Sequence, residues 1–182
     1  MAEGKERIVL GSGKVYIQEF VVDDGLPENT VIETEANLLG FIQGGASLEY
    51  TPTFYEAKDD LGLVAKKIIT EEEAVFKSGI MTWNLNTLSK LSSTATVTEA
   101  AGVRTLKIGG LGNYDGKQYV IHFVHKDSVD GDLRVTIVGN NEAGFALAFA
   151  KDKETVVNAE FKAQPHDGDG TLIILQEDIP VV

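Results

Sequence analysis

The chain contains no cysteine among its 182 residues. Disulfides, thiolate metal sites and cysteine nucleophiles are thereby excluded, and a fold at home in a reducing cytoplasm, or indifferent to redox state, is expected. Only 4 prolines and one tryptophan are present, and no stretch reads as a Pro-rich linker or low-complexity spacer. No run of about 18 apolar residues occurs, so no membrane-spanning helix is expected. The segment Met1–Arg7 lacks a following apolar h-region, and no secretory leader is expected. Positive charge is also scarce: 16 Lys and Arg stand against 28 Asp and Glu, a formal charge of −12, and arginine occurs only at Arg7, Arg104 and Arg134. A protein that grips nucleic acid neutralises phosphates with clustered cations; this chain would repel them.

What remains is ordinary globular composition: 43% hydrophobic and 24% charged, with 19 glycines. A chain of this length can bury roughly 70% of its unfolded surface in one core, and a single domain over residues 1–182 is expected. Period-2 alternation dominates and argues for strands. In Thr155–Gln164, Val157, Ala159, Phe161 and Ala163 share one face and Asn158, Glu160, Lys162 and Gln164 the other. The same reading gives strands at Lys14–Phe20, Leu39–Tyr50, Leu63–Ile69, Arg104–Ile108, Lys117–Val124, Leu133–Val138, Phe145–Ala150 and Thr171–Gln176. Asp23-Asp24-Gly25, Gly109-Gly110, Asp115-Gly116, Asp130-Gly131, Gly139-Asn140-Asn141 and Asp167-Gly168-Asp169-Gly170 are turn chemistry between them. One short helix is expected at about 84–91, with Leu85, Leu88 and Leu91 in register and Asn84 as its N-cap. Thr70-Glu71-Glu72-Glu73 resembles a capping box, but Gly79 and the alternation of Ala74, Phe76 and Ile80 favour a strand. The pattern predicts a mainly β fold, a sandwich or half-barrel.

Catalytic motifs fail on inspection. Gly11-Ser12-Gly13-Lys14 lacks the glycine five residues before its Gly-Lys pair and the Ser or Thr after the lysine, so it is no phosphate loop. His122 and His125, three apart on a strand, point to opposite faces and share no metal. Asp127, Asp130 and Asp132 miss the calcium-loop spacing. No Gly-x-Ser-x-Gly elbow exists, His166 follows a proline with no nucleophile near it in sequence, and Trp83 reads as a core anchor. No catalytic residue, metal or cofactor is expected.

The segment Thr51–Gly62 joins two strands that read as a long hairpin, yet it exceeds the two to five residues such a connection needs. It reads as an extended loop carrying adjacent aromatics, Phe54 and Tyr55, beside Glu56, Lys58, Asp59, Asp60 and Leu61. Aromatic anchors inside a polar rim are what an interface requires. These residues are the candidate subunit or ring interface, with Asp59 and Asp60 meeting Lys or Arg of a neighbour.

The order of the unusual segments is informative: Leu10-Gly11-Ser12-Gly13-Lys14-Val15-Tyr16-Ile17, then Asn37 to Tyr50 with Gly44-Gly45, Lys58-Asp59-Asp60-Leu61-Gly62, Thr82-Trp83-Asn84-Leu85 and Gly170-Thr171-Leu172. This pattern resembles the major tail (tail tube) proteins of long-tailed, non-contractile bacteriophages, over about Leu10 to Gln176. The resemblance implies a β-sandwich or half-barrel subunit with an N-terminal arm over about residues 1–13 and one flanking helix. Hexameric rings would stack into a tube in the virion, made in the host cytoplasm, with an acidic bore. Glu49 is the lumen-facing candidate. Implied partners are the chain itself, tail-tip initiator and terminator proteins, a tape-measure protein in the lumen, and phage DNA passing without sequence-specific binding. No enzyme activity and no membrane are implied. The alternatives are a β-sandwich module binding carbohydrate or protein on a virion, a phage-derived bacteriocin tube, and an enzyme with a carboxylate pair.

Overall fold

Alternating side chains need a partner surface for one face and water for the other, and the computed structural model, which describes residues 11–179, shows how both are found. The expected arm over residues 1–13 lies outside the described residues up to position 10. Among the described residues ten strands form: β1 (Lys14–Phe20), β2 (Leu38–Gly40), β3 (Ile42–Lys58), β4 (Ala65–Ile80), β5 (Ala95–Ala100), β6 (Val103–Ile108), β7 (Gln118–His125), β8 (Leu133–Asn141), β9 (Val157–Ala163) and β10 (Ile173–Glu177). Two short helices accompany them, α1 (Asn29–Ile32) and α2 (Leu85–Ser89). The fold is mainly β and antiparallel, consistent with a sandwich.

Eight strands belong to one sheet in the order β2-β1-β7-β8-β9-β4-β3, with β10 also on β8; β5 and β6 form a separate hairpin. β2 and β3 lie at opposite ends of that order yet are joined through Phe41 alone. The sheet therefore returns on itself. Phe41 ties the seam, its N–H donating to Thr82 Oγ1 at 2.7 Å and its carbonyl accepting from Met81 at 2.7 Å. Gly40 makes the close approach possible: its φ is +150°, and a Cβ there would meet the Thr82 carbonyl oxygen at 2.1 Å. A second close approach marks the corner where β8 passes from β10 to β9. A Cβ on Gly139 would lie 1.9 Å from the Lys162 carbonyl oxygen.

The inner face of the rolled sheet holds the main core. Val15, Ile17, Leu39, Phe76, Ile80, Ile121, Ile137, Val157 and Phe161 are buried there with Leu88 and Leu91. Burial of each is worth ~1.5–3 kcal/mol. A smaller cluster on the outer face of β1, β7 and β8 gathers Tyr16, Phe20, Val120, Val124 and Val138 under Ile32 of α1. Asn84 caps α2 as its spacing predicts, its side chain accepting from Asn86 and Thr87 N–H at 2.9 and 3.0 Å. Trp83 packs against the main core and donates Nε1–H to the Thr155 carbonyl at 3.1 Å.

Four expectations are corrected. Phe145–Ala150 is not a strand: Phe145 and Leu147 pack on the core as the alternation suggested, but the segment joins no ladder and makes a single bridge, from Ala150 to Lys153. A second helix, α1, stands where no periodicity announced one; four residues are too few to show a period. The strand read from Leu39 breaks at Phe41 to change partners. Finally, Thr51–Gly62 is not an extended loop. β3 runs on to Lys58 and β4 starts at Ala65, so most of it is paired strand.

Candidate functional site

β9 pairs with β4 only from Val75 to Ile80. Beyond Ala74 the partnership of β3 and β4 continues alone, from Thr51↔Glu73 to Lys58↔Ala65, as a two-stranded arm. A bulge at Thr53/Phe54 interrupts the register, leaving Thr70 as the extra residue, its hydroxyl on the Thr53 carbonyl at 3.3 Å. Past it, Phe54 faces Ile69 and Tyr55 faces Ile68. Opposed residues share a face, so each side of the ribbon carries one aromatic–isoleucine pair. Phe54 is 49% exposed, Tyr55 60%, Leu61 80%. A lone two-stranded ribbon is marginal in water. This one also leaves apolar groups bare on both faces.

The structure brings the expected interface residues together, with different roles for the charges. Lys67 Nζ sits 4.5 Å from the centre of the Phe54 ring, a cation–π contact. Glu56 and Lys58 pair with each other at 3.3 Å. Asp59 belongs to the turn: its carboxylate accepts the Val64 N–H at 2.7 Å, while its backbone holds Val64 and Gly62 at 3.0 Å. The Val64 hydrogen bond keeps its carboxyl below the usual carboxylate range. Its oxygen is engaged within the turn, so Asp60, exposed beside it, is the acid turned outward. Sequence reading missed the β4 half of the surface, Leu63, Val64, Ile68 and Ile69, all exposed. Ile69 and Ile68 were recoverable as the cross-strand partners of Phe54 and Tyr55 once the hairpin register was known, whereas Leu63 and Val64 belong to the turn before β4.

Glu49 lies near the base of the arm on the outer face of β3 and is exposed, its carboxylate 3.1 Å from Lys77 Nζ. Lys77 also approaches Glu160 at 3.8 Å, and Lys162 approaches Glu73 at 3.6 Å. This outer face of β3, β4 and β9 is polar and carries more acid than base. The long edge of β3 opposite β4 pairs with no strand among the described residues. An open cleft of about 660 Å³ lies over the Gly44-Gly45 bulge, walled by small residues including Ser78, whose buried hydroxyl has no partner. No histidine lines it.

A separate charged cluster gathers around β7, β8 and the residue that follows α1. Arg134, buried on β8, donates to Glu33 at 2.6 Å, Asp178 at 2.8 Å and Asp132 at 3.1 Å. Lys126 bonds Glu33 at 2.9 Å and Asp132 at 2.8 Å. His122, buried beneath, places Nε2 3.4 Å from Glu33 and Nδ1 2.8 Å from the Thr136 hydroxyl. With Glu33 accepting from Nε2–H, Nδ1 accepts from Thr136. Burial pushes the His122 pKa down, outweighing Glu33, which favours the cation. Burial works to raise Glu33, but hydrogen bonds from Arg134, Lys126 and His122 prevail and hold it low. The arrangement is a structural tie between the end of α1, β8 and the chain after β10.

His125 donates Nδ1–H to the Ser12 carbonyl at 2.8 Å, on the face opposite His122, as their spacing predicts. Among the described residues no group of three or more His, Asp or Glu is arranged to hold a metal, and no helix is long and apolar enough to cross a membrane. No protein-family model matches the chain, and neither does any curated protein.

Proposed function

We propose that this chain is a structural subunit that assembles with copies of itself, and specifically a tail tube protein of a long-tailed, non-contractile phage. The observation that carries the reading is the arm: a ribbon projecting past the core with Phe54, Tyr55, Ile68 and Ile69 exposed on its two faces. Covering the exposed half of such groups is worth ~1 kcal/mol each, and surfaces of this kind mark protein–protein contact. The unpaired edge of β3 gives a second reason. A long open edge is a template for another strand, and closing subunits into a ring removes it. The polar outer face suits a bore through which DNA slides without sticking, because its two lysines, Lys77 and Lys162, are each paired with glutamates, Glu49 and Glu160 for the first and Glu73 for the second. The order of segments that resembles tail tube proteins points the same way. In this reading the subunits form hexameric rings stacked into a tube, and no catalysis is involved. Electron microscopy and sedimentation of the concentrated protein test it: rings or tubes are expected, and a monomer at every concentration, also with a tail-tip initiator present, overturns it.

A further inference from the structure

β1 and β2 are antiparallel neighbours, with Tyr16 facing Leu38, and a turn of two to five residues would join them. The chain uses residues 21–37 instead and folds them back over the outer face of β1, β7 and β8. The backbone hydrogen bonds of this connection run between its own residues. Val31 and Ile32 donate to the Glu28 carbonyl at 2.9 and 3.1 Å, Glu33 to Asn29 at 2.9 Å and Asn37 to Thr34 at 3.0 Å. α1, only four residues long, cannot hold itself in water.

Few side chains keep the segment down. Ile32 is its one buried residue, set in the outer cluster of Tyr16, Phe20, Val120, Val124 and Val138 with Leu26 packed alongside. The next residue, Glu33, makes the strong polar ties, to Arg134 Nε at 2.6 Å, Lys126 Nζ at 2.9 Å and His122 Nε2 at 3.4 Å. The others are long: Asn37 Nδ2 donates to Gln18 at 3.4 Å, and Glu35, largely exposed, stands 3.9 Å from Lys14 Nζ. The strands beneath do not depend on it. β7 pairs with β1 from Gln118 to Val124 and with β8 from Tyr119 to His125.

We infer that residues 21–37 are a strap that leaves the sheet as one unit while the strands beneath stay paired, that Glu33 is its latch, and that acid loosens it. Opening bares the outer cluster and gives His122 Nε2 to water. Arg134 of β8, Lys126 after β7 and His122 face the latch; Thr136 and the Tyr16 ring, 6.4 Å away, face His122, and Asp132 and Asp178 face Arg134. In the closed form burial holds His122 below its ordinary value. Burial works to raise Glu33, but its hydrogen bonds from Arg134, Lys126 and His122 hold it low. Both groups take protons more readily once the strap is open, so opening gains as pH falls below about 6.5, through His122 first and Glu33 after it.

Hydrogen exchange of the dilute chain in urea below the unfolding transition tests this. After correction for intrinsic rates, the amides of Val31, Ile32 and Glu33 should exchange at least about 10-fold faster than those of Val120 to Val124, and without dependence on urea, the mark of a local opening. Glu33→Gln should speed strap exchange a further 10-fold or so with the wild-type circular dichroism spectrum kept. Lowering the pH from about 7 to 5.5 should lower strap protection about 3-fold or more. Strap amides that share the rate and urea dependence of β7 overturn the strap. Wild-type strap exchange in a folded Glu33→Gln variant overturns the latch, and equal corrected protection at the two pH values overturns the acid response.

Discussion

Arg134 shows how a chain short of cations uses one. Its guanidinium reaches three carboxylates that belong to three different parts of the sequence, Glu33, Asp132 and Asp178. Removing Arg134 leaves Glu33 and Asp132 with Lys126 as their one remaining cation, so Arg134→Met should cost toward the lower end of the about 3–5 kcal/mol of a broken buried pair at neutral pH, read as a lowered urea midpoint. Acid should act on the same cluster in two stages. His122 titrates in the fold below its unfolded value of about 6.5, so the unfolded chain takes up that proton first and stability falls as pH drops through that range. Glu33 and Asp132 are held below ordinary carboxylate values, the latter first by its Lys126 hydrogen bond. Their contribution is complete above the unfolded carboxylate range and is lost as pH falls toward 4 and below. Urea midpoints at about pH 7, 5.5 and 4 should fall in that order. His122→Gln should flatten the first interval and spare the second; an unchanged first interval would exclude His122 as its source.

At the scale of elements, β3 and β4 each do two jobs. Their proximal halves close the core, with Phe76 and Ile80 buried, and their distal halves leave it. The bulge at Thr53/Phe54 is the natural place to cut. Joining Thr53 to Glu71 through Asn-Gly deletes the arm and leaves a tight hairpin turn. The deleted residues are exposed, so stability should change by less than about 1 kcal/mol, in the range of surface changes. Assembly should be lost. Tubes of normal length from this variant, seen by electron microscopy, would show that the arm is not the stacking element. The β5–β6 hairpin is the other small element standing off the main sheet, and Leu106 is what ties it down.

For the whole molecule the deciding quantity is charge. Non-specific DNA binding commonly falls between about 10⁻⁴ and 10⁻⁶ M and rests on cations that displace counterions. With a net charge of −12 and Lys14, Lys58, Lys77, Lys117, Lys126 and Lys162 each beside an acid, the subunit should bind duplex DNA more weakly than about 10⁻⁴ M even at low salt. Fluorescence anisotropy with a labelled duplex checks this, and binding tighter than that would remove the argument for a non-adhesive bore.

The sequence by itself determined the class of fold and most of the strands. Alternation in Val157–Ala163 and Gln118–His125 is set by which residues want water, and that preference is local. The Asn84 cap and the opposed His122 and His125 were legible for the same reason, since capping and strand parity depend only on neighbours along the chain. Tertiary structure decided the partners. Phe145 and Leu147 alternate like a strand yet find no ladder, because hydrogen bonding to another strand is a property of position in space. The break at Phe41 that rolls the sheet, the bulge beside Phe54, and the pairing of Phe54 with Ile69 and Tyr55 with Ile68 are registers between distant segments. Asp59, read as an interface charge, is spent on its own turn because the hairpin brings the Val64 N–H to its carboxylate. The Glu33, His122 and Arg134 cluster draws on positions up to 101 residues apart. No local pattern encodes that distance; only the closing of the sheet brings these charges together.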